Sequence, residues 1–304
     1  KFVRLLSMLS FAASLKWFFI LKHIPKYVFV QYSPVFVGFT AVVWGKLLRK
    51  KVILNVSDLW PLAGLEMGLL QKGTYYSVLE QMESYCYKNA NLLLGQSNEI
   101  LSHVKNKGVD TPLFLYRNLP AFTPPSIPTT TKTPIKIVYA GLLGVAQGVS
   151  EILQSIAIPE HIEFHIYGEG PDAKNIIALK NNQVHYHGTI SREQLHAALQ
   201  AYDIAFIPLA QRIYGSVPSK IFEYARLGLP LLYMGGGEGS ALVAENNLGY
   251  ILPVKDFVGL EHFLSALDEQ ALQKFPKHAV QESAIMAFDF KKQFEAFLQN
   301  LEAL

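Results

Sequence analysis

The sequence predicts an α/β protein of two doubly wound parallel domains, and three observations carry that prediction. Short apolar runs of strand length alternate with stretches of helical spacing along almost the whole chain. Many of these runs end in glycine, serine or aspartate loops that lead into helix starts, the pattern of strand, crossover helix and parallel strand. A proline- and threonine-rich segment at 120–134, P-A-F-T-P-P-S-I-P-T-T-T-K-T-P, interrupts the alternation and reads as an extended linker. With 304 residues, half of them hydrophobic, the chain can fill two cores and is too apolar for disorder. The net charge is only +3 and the basic residues form no stripe, so nucleic acid is not an expected partner. A single cysteine, Cys86, excludes an internal disulfide framework and a cysteine-based zinc site and points to a reducing, cytoplasmic setting.

The elements follow in order. Residues 5–20 are apolar but broken by Ser7, Ser10, Ser14 and Lys16, and they fall short of the ~20 residues a membrane span needs. Two readings remain open for residues 1–24. One is a helix packed on its own domain. The other is an interfacial helix on anionic lipid, with Lys1, Arg4, Lys16, Lys22 and Lys26 flanking Leu9, Trp17, Phe18 and Phe19. Residues 27–31 read as a strand, 36–48 as a helix and 52–56 as a strand leading into S-D-L-W-P. Asp58 therefore falls just past a strand end, either capping the segment after Trp60-Pro61 or lining the ligand edge of the sheet. Residues 74–90 predict a long helix with Tyr75, Leu79, Met82 and Tyr85 toward the core. A strand at 91–95, a helix start at Ser97 and the segment 111–115 complete a first domain at 1–119.

The second domain is placed at 135–280, with a strand at 135–140 running into G-L-L-G and a helix from about Val149. Strands follow at 164–167, before G-E-G-P, and at 184–187, before G-T-I-S, where Ser191 and Gln194 mark a helix start. Further strands are expected at 204–209, 231–234 and 250–252. Between 209 and 231 a helix is expected, capped by Ser216, with Pro218 in its first turn and Gly228 and Pro230 stopping it. The last segment, 281–304, carries Phe294, Phe297, Leu298 and Leu301 at helical spacing.

In a parallel sheet, ligands meet the loops at strand C-terminal ends, where glycine lets backbone approach phosphate. Gly141 and Gly144, Gly168 and Gly170, and Gly236 and Gly237 stand at three such ends. Lys220 and Glu223 lie early in the helix before the last of these loops, where an ammonium suits a diphosphate and a carboxylate suits a vicinal diol. The plain alternatives are a solvated lysine and an exposed helix carboxylate. His185 and His187 share a strand face but have no carboxylate beside them in sequence, so they read as structural rather than as a zinc pair. No D-x-D, G-x-S-x-G or P-loop string is present.

The string P-S-K-I-F-E-Y-A-x-x-G-x-P, followed by a short strand and a glycine loop, resembles the donor-sugar site of retaining glycosyltransferases of family 4. V-P-S-K and V-S-D-L-W-P are similar to the branch that builds bacterial surface polysaccharides. The resemblance implies the GT-B architecture, two Rossmann-like domains facing a cleft, with the final helix returning to the first domain. That fold normally opens with a β-α-β unit bearing a glycine-rich loop; nothing equivalent precedes Tyr27, so the first domain is expected to be incomplete.

By the same resemblance Glu223 holds the ribose, and Lys220 with Ser219 meets the diphosphate. Gly236, Gly237, Ser240, Ala241 and Leu242 offer the diphosphate backbone N–H groups. Gly141, Gly144, Gln147, Gly168 and Gly170 line the donor, Ile190 lies at the base, and Asp58 serves the acceptor side. The chain departs from the family pattern at three places. Gly215 stands where many members carry a first glutamate, and Leu142 and Gln147 replace basic residues. The implied activity is metal- and cofactor-free transfer of a hexose-type sugar from a nucleotide diphosphate to a glycan or lipid-linked acceptor. It would take place in the cytoplasm, with the inner membrane face reached through residues 1–24. The alternatives are a non-catalytic relative that binds a partner or glycan, and a nucleotide-sugar epimerase.

Overall fold

The structure, a computed structural model, describes residues 2–127, 134–144 and 146–304. Lys1, Val145 and the 128–133 part of the proline-rich segment lie outside the described residues. The chain forms two compact units, the first built from residues up to Asn118 together with Ile213–Val217 and Lys291–Leu304, the second from Leu119–Arg212 and Pro218–Phe290.

The first unit holds a parallel sheet in the order β1 (Tyr27–Gln31), β2 (Lys51–Val56), β3 (Leu92–Gly95) and β4 (Leu113–Leu115). β2 and β3 are apolar almost throughout because both faces of this sheet are covered. Val52, Leu54, Val56 and Leu93 meet Val35, Ala41 and Val42 of α2 (Val35–Leu47) and Leu79 and Cys86 of α4 (Thr74–Asn89). On the other face Ile53, Leu92 and Leu94 pack on Phe297 of α14 (Phe290–Glu302). Gln293 of α14 also pairs with the backbone of Arg117, accepting from its N–H at 2.9 Å and donating to its carbonyl at 2.9 Å. β4 begins at Leu113, and just before it the Thr111 hydroxyl donates to the carbonyl of Tyr87 near the end of α4.

The buried side of α4 also differs from the expected one. Tyr76, Leu79, Glu83, Cys86 and Tyr87 point inward, while Tyr75 and Tyr85 are exposed. A carboxylate can occupy this core because the Tyr87 hydroxyl, His103 Nε2 and Lys107 Nζ surround Glu83 at 3.0, 3.1 and 3.1 Å. The helix α1 (Phe2–Leu21) buries Ala12 and Phe19 and leaves Leu6, Leu9, Phe11, Trp17 and Phe18 exposed. No helix among the described residues is long and apolar enough to cross a membrane.

The second unit is a six-stranded parallel sheet in the order β10-β9-β8-β5-β6-β7. Its strands are β5 (Ile135–Ala140), β6 (Ile162–Tyr167), β7 (Val184–Gly188), β8 (Ile204–Pro208), β9 (Leu231–Met234) and β10 (Gly249–Leu252). The first three strands run outward one way from β5 and the last three the other way, so strand order reverses between β5 and β8. That reversal is the switch point at which doubly wound sheets take ligands. Ile137, Tyr139, Phe164, Ile166, Phe206 and Met234 belong to one continuous core beneath it.

The helix α8 (Arg192–Leu199) carries the expected capping box of Ser191 and Gln194. α9 (Lys220–Arg226) starts later than expected, and Ser216 is not its cap. Proline at 218 holds Val217 out of helical geometry, so the chain turns only from Pro218 onward, with Ile221 N–H on Pro218 O and Phe222 N–H on Ser219 O. The Ser219 side chain makes no capping bond. Gly228 ends α9 as expected, at φ +81°.

Candidate functional site

The candidate site is laid out along the C-terminal ends of β5, β6, β7 and β9 in the second unit. The loops after β5 and β6 are bound to each other backbone to backbone. Gly141 N–H donates to Tyr167 O at 3.0 Å and Leu143 N–H to Glu169 O at 2.8 Å, and Gly168 N–H reaches Gly188 O at 2.7 Å. A methyl group added at Gly168 would sit 1.8 Å from the Gly141 carbonyl oxygen, and one at Gly170 would sit 2.3 Å from that of Leu143. The bare side of these two glycines is filled by the neighbouring loop, and they are glycine so that two loops can touch.

Gly141 differs. A methyl group there would lie 2.2 Å from Lys220 Nζ, so the lysine of α9 is drawn directly across this glycine at the switch point. The ammonium stands 5.5 Å from the centre of the Tyr139 ring. The Tyr224 hydroxyl donates to Ala140 O, which straps α9 to the end of β5. Burial pulls the Lys220 ammonium below its ordinary range, and the Glu223 carboxylate pulls it back up. Desolvation wins, and the group is a cation whose hydration has been partly stripped away.

Glu223 is one turn further along α9, and α8 holds it. Its Oε1 accepts from Arg192 Nε at 3.1 Å and Nη2 at 2.9 Å and lies 2.8 Å from His196 Nε2, while Oε2 takes part in none of these contacts. Arg192 and His196 had no place in the sequence reading. They stand four apart on a helix whose capped start was legible, and that spacing puts them on one side.

After β9, Gly237 adopts φ +67° and precedes α10 (Glu238–Glu245). The α10 helix opens at Glu238. The N–H groups of Ser240 and Ala241 both turn back to Gly237 O, and Leu242 lies within the helix with its side chain buried. Arg212 lies against this loop instead: a methyl group at Gly237 would meet its Nε at 2.6 Å and one at Gly236 its Cδ at 3.4 Å. Arg212 belongs to the Q-R-I-Y segment whose charge the sequence reading left unassigned. Gln147 and Gly144 share a turn in which Gln147 N–H donates to Gly144 O at 3.2 Å, and the buried Gln147 Oε1 has no hydrogen-bond partner. Ile190 is partly exposed between β7 and the Ser191 cap.

Asp58 belongs to the first unit, exposed beyond the end of β2. It does not cap the following helix, α3 (Leu62–Glu66), whose N-cap position is Pro61. Gly215, at the place of the missing glutamate, also lies in the first unit, held by Ser97 Oγ on its carbonyl at 2.7 Å and Glu99 Oε2 on its N–H at 2.8 Å.

Residues 134–269 match a family model described as Glycosyl transferases group 1. The match covers the sheet that carries Lys220, Gly141 and Glu223. Among solved structures, Anabaena Alr3699/HepE in complex with UDP is similar at 12% identity and a TM-score of 0.73, over 96% of this chain and 82% of that one. Sucrose-phosphate synthase from Thermosynechococcus elongatus is similar at 15% identity and 0.69, over 98% and 79%. The lipopolysaccharide outer core galactosyltransferase WaaB is similar at 15% and 0.66, over 100% and 82%. These likenesses show the GT-B fold. No curated protein matches the sequence.

Proposed function

We propose that the chain is a glycosyltransferase that binds a nucleotide-diphosphate sugar at the C-terminal edge of the second unit's sheet. The observation that carries this reading is the half-buried Lys220 ammonium held across Gly141 at the point where strand order reverses. The group 1 match over 134–269 and the GT-B fold support it, as do neighbours described in complex with UDP, UDP-glucose, or UDP and GlcNAc. Lys220 would neutralise the diphosphate, with Arg212 supplying a second cation from the loop at Gly236 and Gly237. Glu223, aligned by Arg192 and His196 through Oε1, would offer Oε2 to the ribose hydroxyls. The orphan Gln147 Oε1 would accept from a hydroxyl of the sugar.

The transfer would be of the retaining, front-face kind, in which the departing diphosphate takes the acceptor proton. Stabilising that diphosphate would be the main contribution to rate. A lipid-linked or glycan acceptor in surface-polysaccharide synthesis, with Asp58 on its side of the reaction, completes the reading. A non-catalytic relative is the second reading, and Leu142 and Gln147 in place of basic residues favour it. Titration of UDP and GDP into the wild-type chain and Lys220→Ala tests the site. Binding of neither nucleotide sinks the reading, and hydrolysis or transfer from a nucleotide sugar disposes of the second one.

A further inference from the structure

Strands β6 and β7 lie side by side in parallel, with His165 opposite His185. Their apolar residues Phe164 and Ile166, with Val184 and Tyr186, face the core of the second unit. Strand alternation therefore places Glu163, His165, His185 and His187 together on the opposite face. The carboxylate missing beside His185 and His187 in the sequence thus arrives from the neighbouring strand. Glu163 Oε2 stands 3.2 Å from His165 Nε2, and Glu163 Oε1 stands 3.9 Å from His185 Nε2. One ligand atom from each of these three residues lies within 4.8 Å of the others.

We propose that Glu163, His165 and His185 bind one divalent cation of the zinc class, with His187 positioning His165. Three features of the cluster argue for it. The first is an orphan: His185 Nε2 is buried without a hydrogen-bond partner, at the edge of the space the other two donors enclose. The second is the tautomer. His165 Nδ1 lies 2.9 Å from His187 Nε2, so a proton on Nδ1 donated to His187 leaves the Nε2 lone pair turned toward Glu163 and His185. Metal-bound imidazoles are commonly fixed through the second ring nitrogen in this way. His187 is itself held by stacking on Tyr167, with ring centres 4.6 Å apart.

The third feature is the donor set. Two imidazoles and one carboxylate suit zinc or cobalt, whereas magnesium and calcium call for oxygen ligands. Tetrahedral zinc at about 2.0–2.1 Å from each donor places its ligands roughly 3.4 Å apart, so small side-chain rotations suffice. The side chains of Glu163 and His185 are 27% and 38% exposed, which leaves a solvent path for a fourth ligand. The site lies on the body of the sheet face and shares no residue with the loops carrying Lys220 and Gly141. It is a clamp across β6 and β7, independent of the proposed donor site.

The test is a titration of the metal-stripped full chain with zinc chloride against a competing chromogenic chelator. One zinc per chain is expected. His185→Gln and Glu163→Gln should each weaken binding more than tenfold, and His187→Phe by about 10- to 100-fold. Cobalt chloride should give the strong visible bands of a tetrahedral ion, lost in both ligand variants. Both substitutions are at partly exposed side chains, and far-UV circular dichroism reports whether each variant has folded. Stoichiometric zinc retained at unchanged affinity by His185→Gln and Glu163→Gln places the ion on other histidines and overturns the proposal. So does the absence of stoichiometric binding by the wild-type chain.

Discussion

Burial draws the Lys220 ammonium below the 10.5 of an ordinary lysine, and Glu223 only partly restores it. The sign of the consequence is fixed. The cation is lost as pH rises, at a lower pH than for a free lysine. UDP affinity measured by calorimetry should therefore decline on the alkaline side before pH 10.5, and Lys220→Ala should abolish that decline. At neutral pH the same substitution removes a charged contact worth about 1.5–3 kcal/mol, which is roughly 10- to 150-fold in binding. A flat pH profile for the wild type contradicts the assignment. Lys220 and Glu223 were both legible as a pair near one helix start. Their surroundings were not: the lysine's approach to Gly141 and the hold of Arg192 and His196 on Glu223 exist only once distant segments meet.

Asp172 shows the same limit, and it carries a stability prediction. The Gly148 that precedes α6 (Val149–Gln154) has no side chain to cap with, and Asp172 from the loop after β6 does so instead. Its Oδ2 accepts from Ser150 N–H at 3.0 Å and its Oδ1 accepts from the Ser150 hydroxyl. Burial pushes this carboxyl up, but the bonds from Ser150 and Asn175 outweigh it and hold the group below 3.8. A depressed carboxyl stabilises the fold above its unfolded value, and that contribution fades as pH falls below 3.8. Asp172→Ala should cost about 0.5–2 kcal/mol in urea unfolding at pH 7, and the difference from wild type should shrink in acid. An equal difference at both pH values would mean that packing rather than the cap is lost.

At the scale of elements, strands were the legible part. An apolar run of four to six residues needs no partner to be recognised, and β1, β5 and β9 coincide with the sequence reading residue for residue. Helix faces and helix starts were harder. The inward side of α4 is set by Glu83, a residue that reads as solvent-facing until Tyr87, His103 and Lys107 are seen around it. The start of α9 depends on Pro218 acting on the residue before it, not on the nearest serine.

The first helix, α1, supports a prediction of its own kind. Leu6, Leu9, Phe11, Trp17 and Phe18 are exposed on a helix that also carries Lys16 and is followed directly by Lys22. Apolar area beside lysine favours anionic bilayers. The chain should float with vesicles containing phosphatidylglycerol and not with neutral ones, and Trp17→Ser with Phe18→Ser should release it. Equal recovery on both vesicle types, or none on either, removes the membrane reading.

At the scale of the molecule, the chain is two units, each with its own parallel sheet and core. The proposed nucleotide contacts come from the second unit alone, because Lys220, Glu223, Arg212 and Gly141 all lie within it. A ligand stabilises only what must be folded to bind it, by about 2.7 kcal/mol at a concentration one hundred times its Kd. Scanning calorimetry with rising UDP should therefore move the unfolding of the second unit upward and leave any separate transition of the first where it was. Hydrogen exchange should agree, with slowed amides in β5 and α9 and unchanged ones in β2 and β3. A single transition that moves as a whole shows instead that the units unfold as one cooperative body. A scan in which UDP moves nothing leaves the second unit without its proposed ligand, because binding of useful strength must appear as stability.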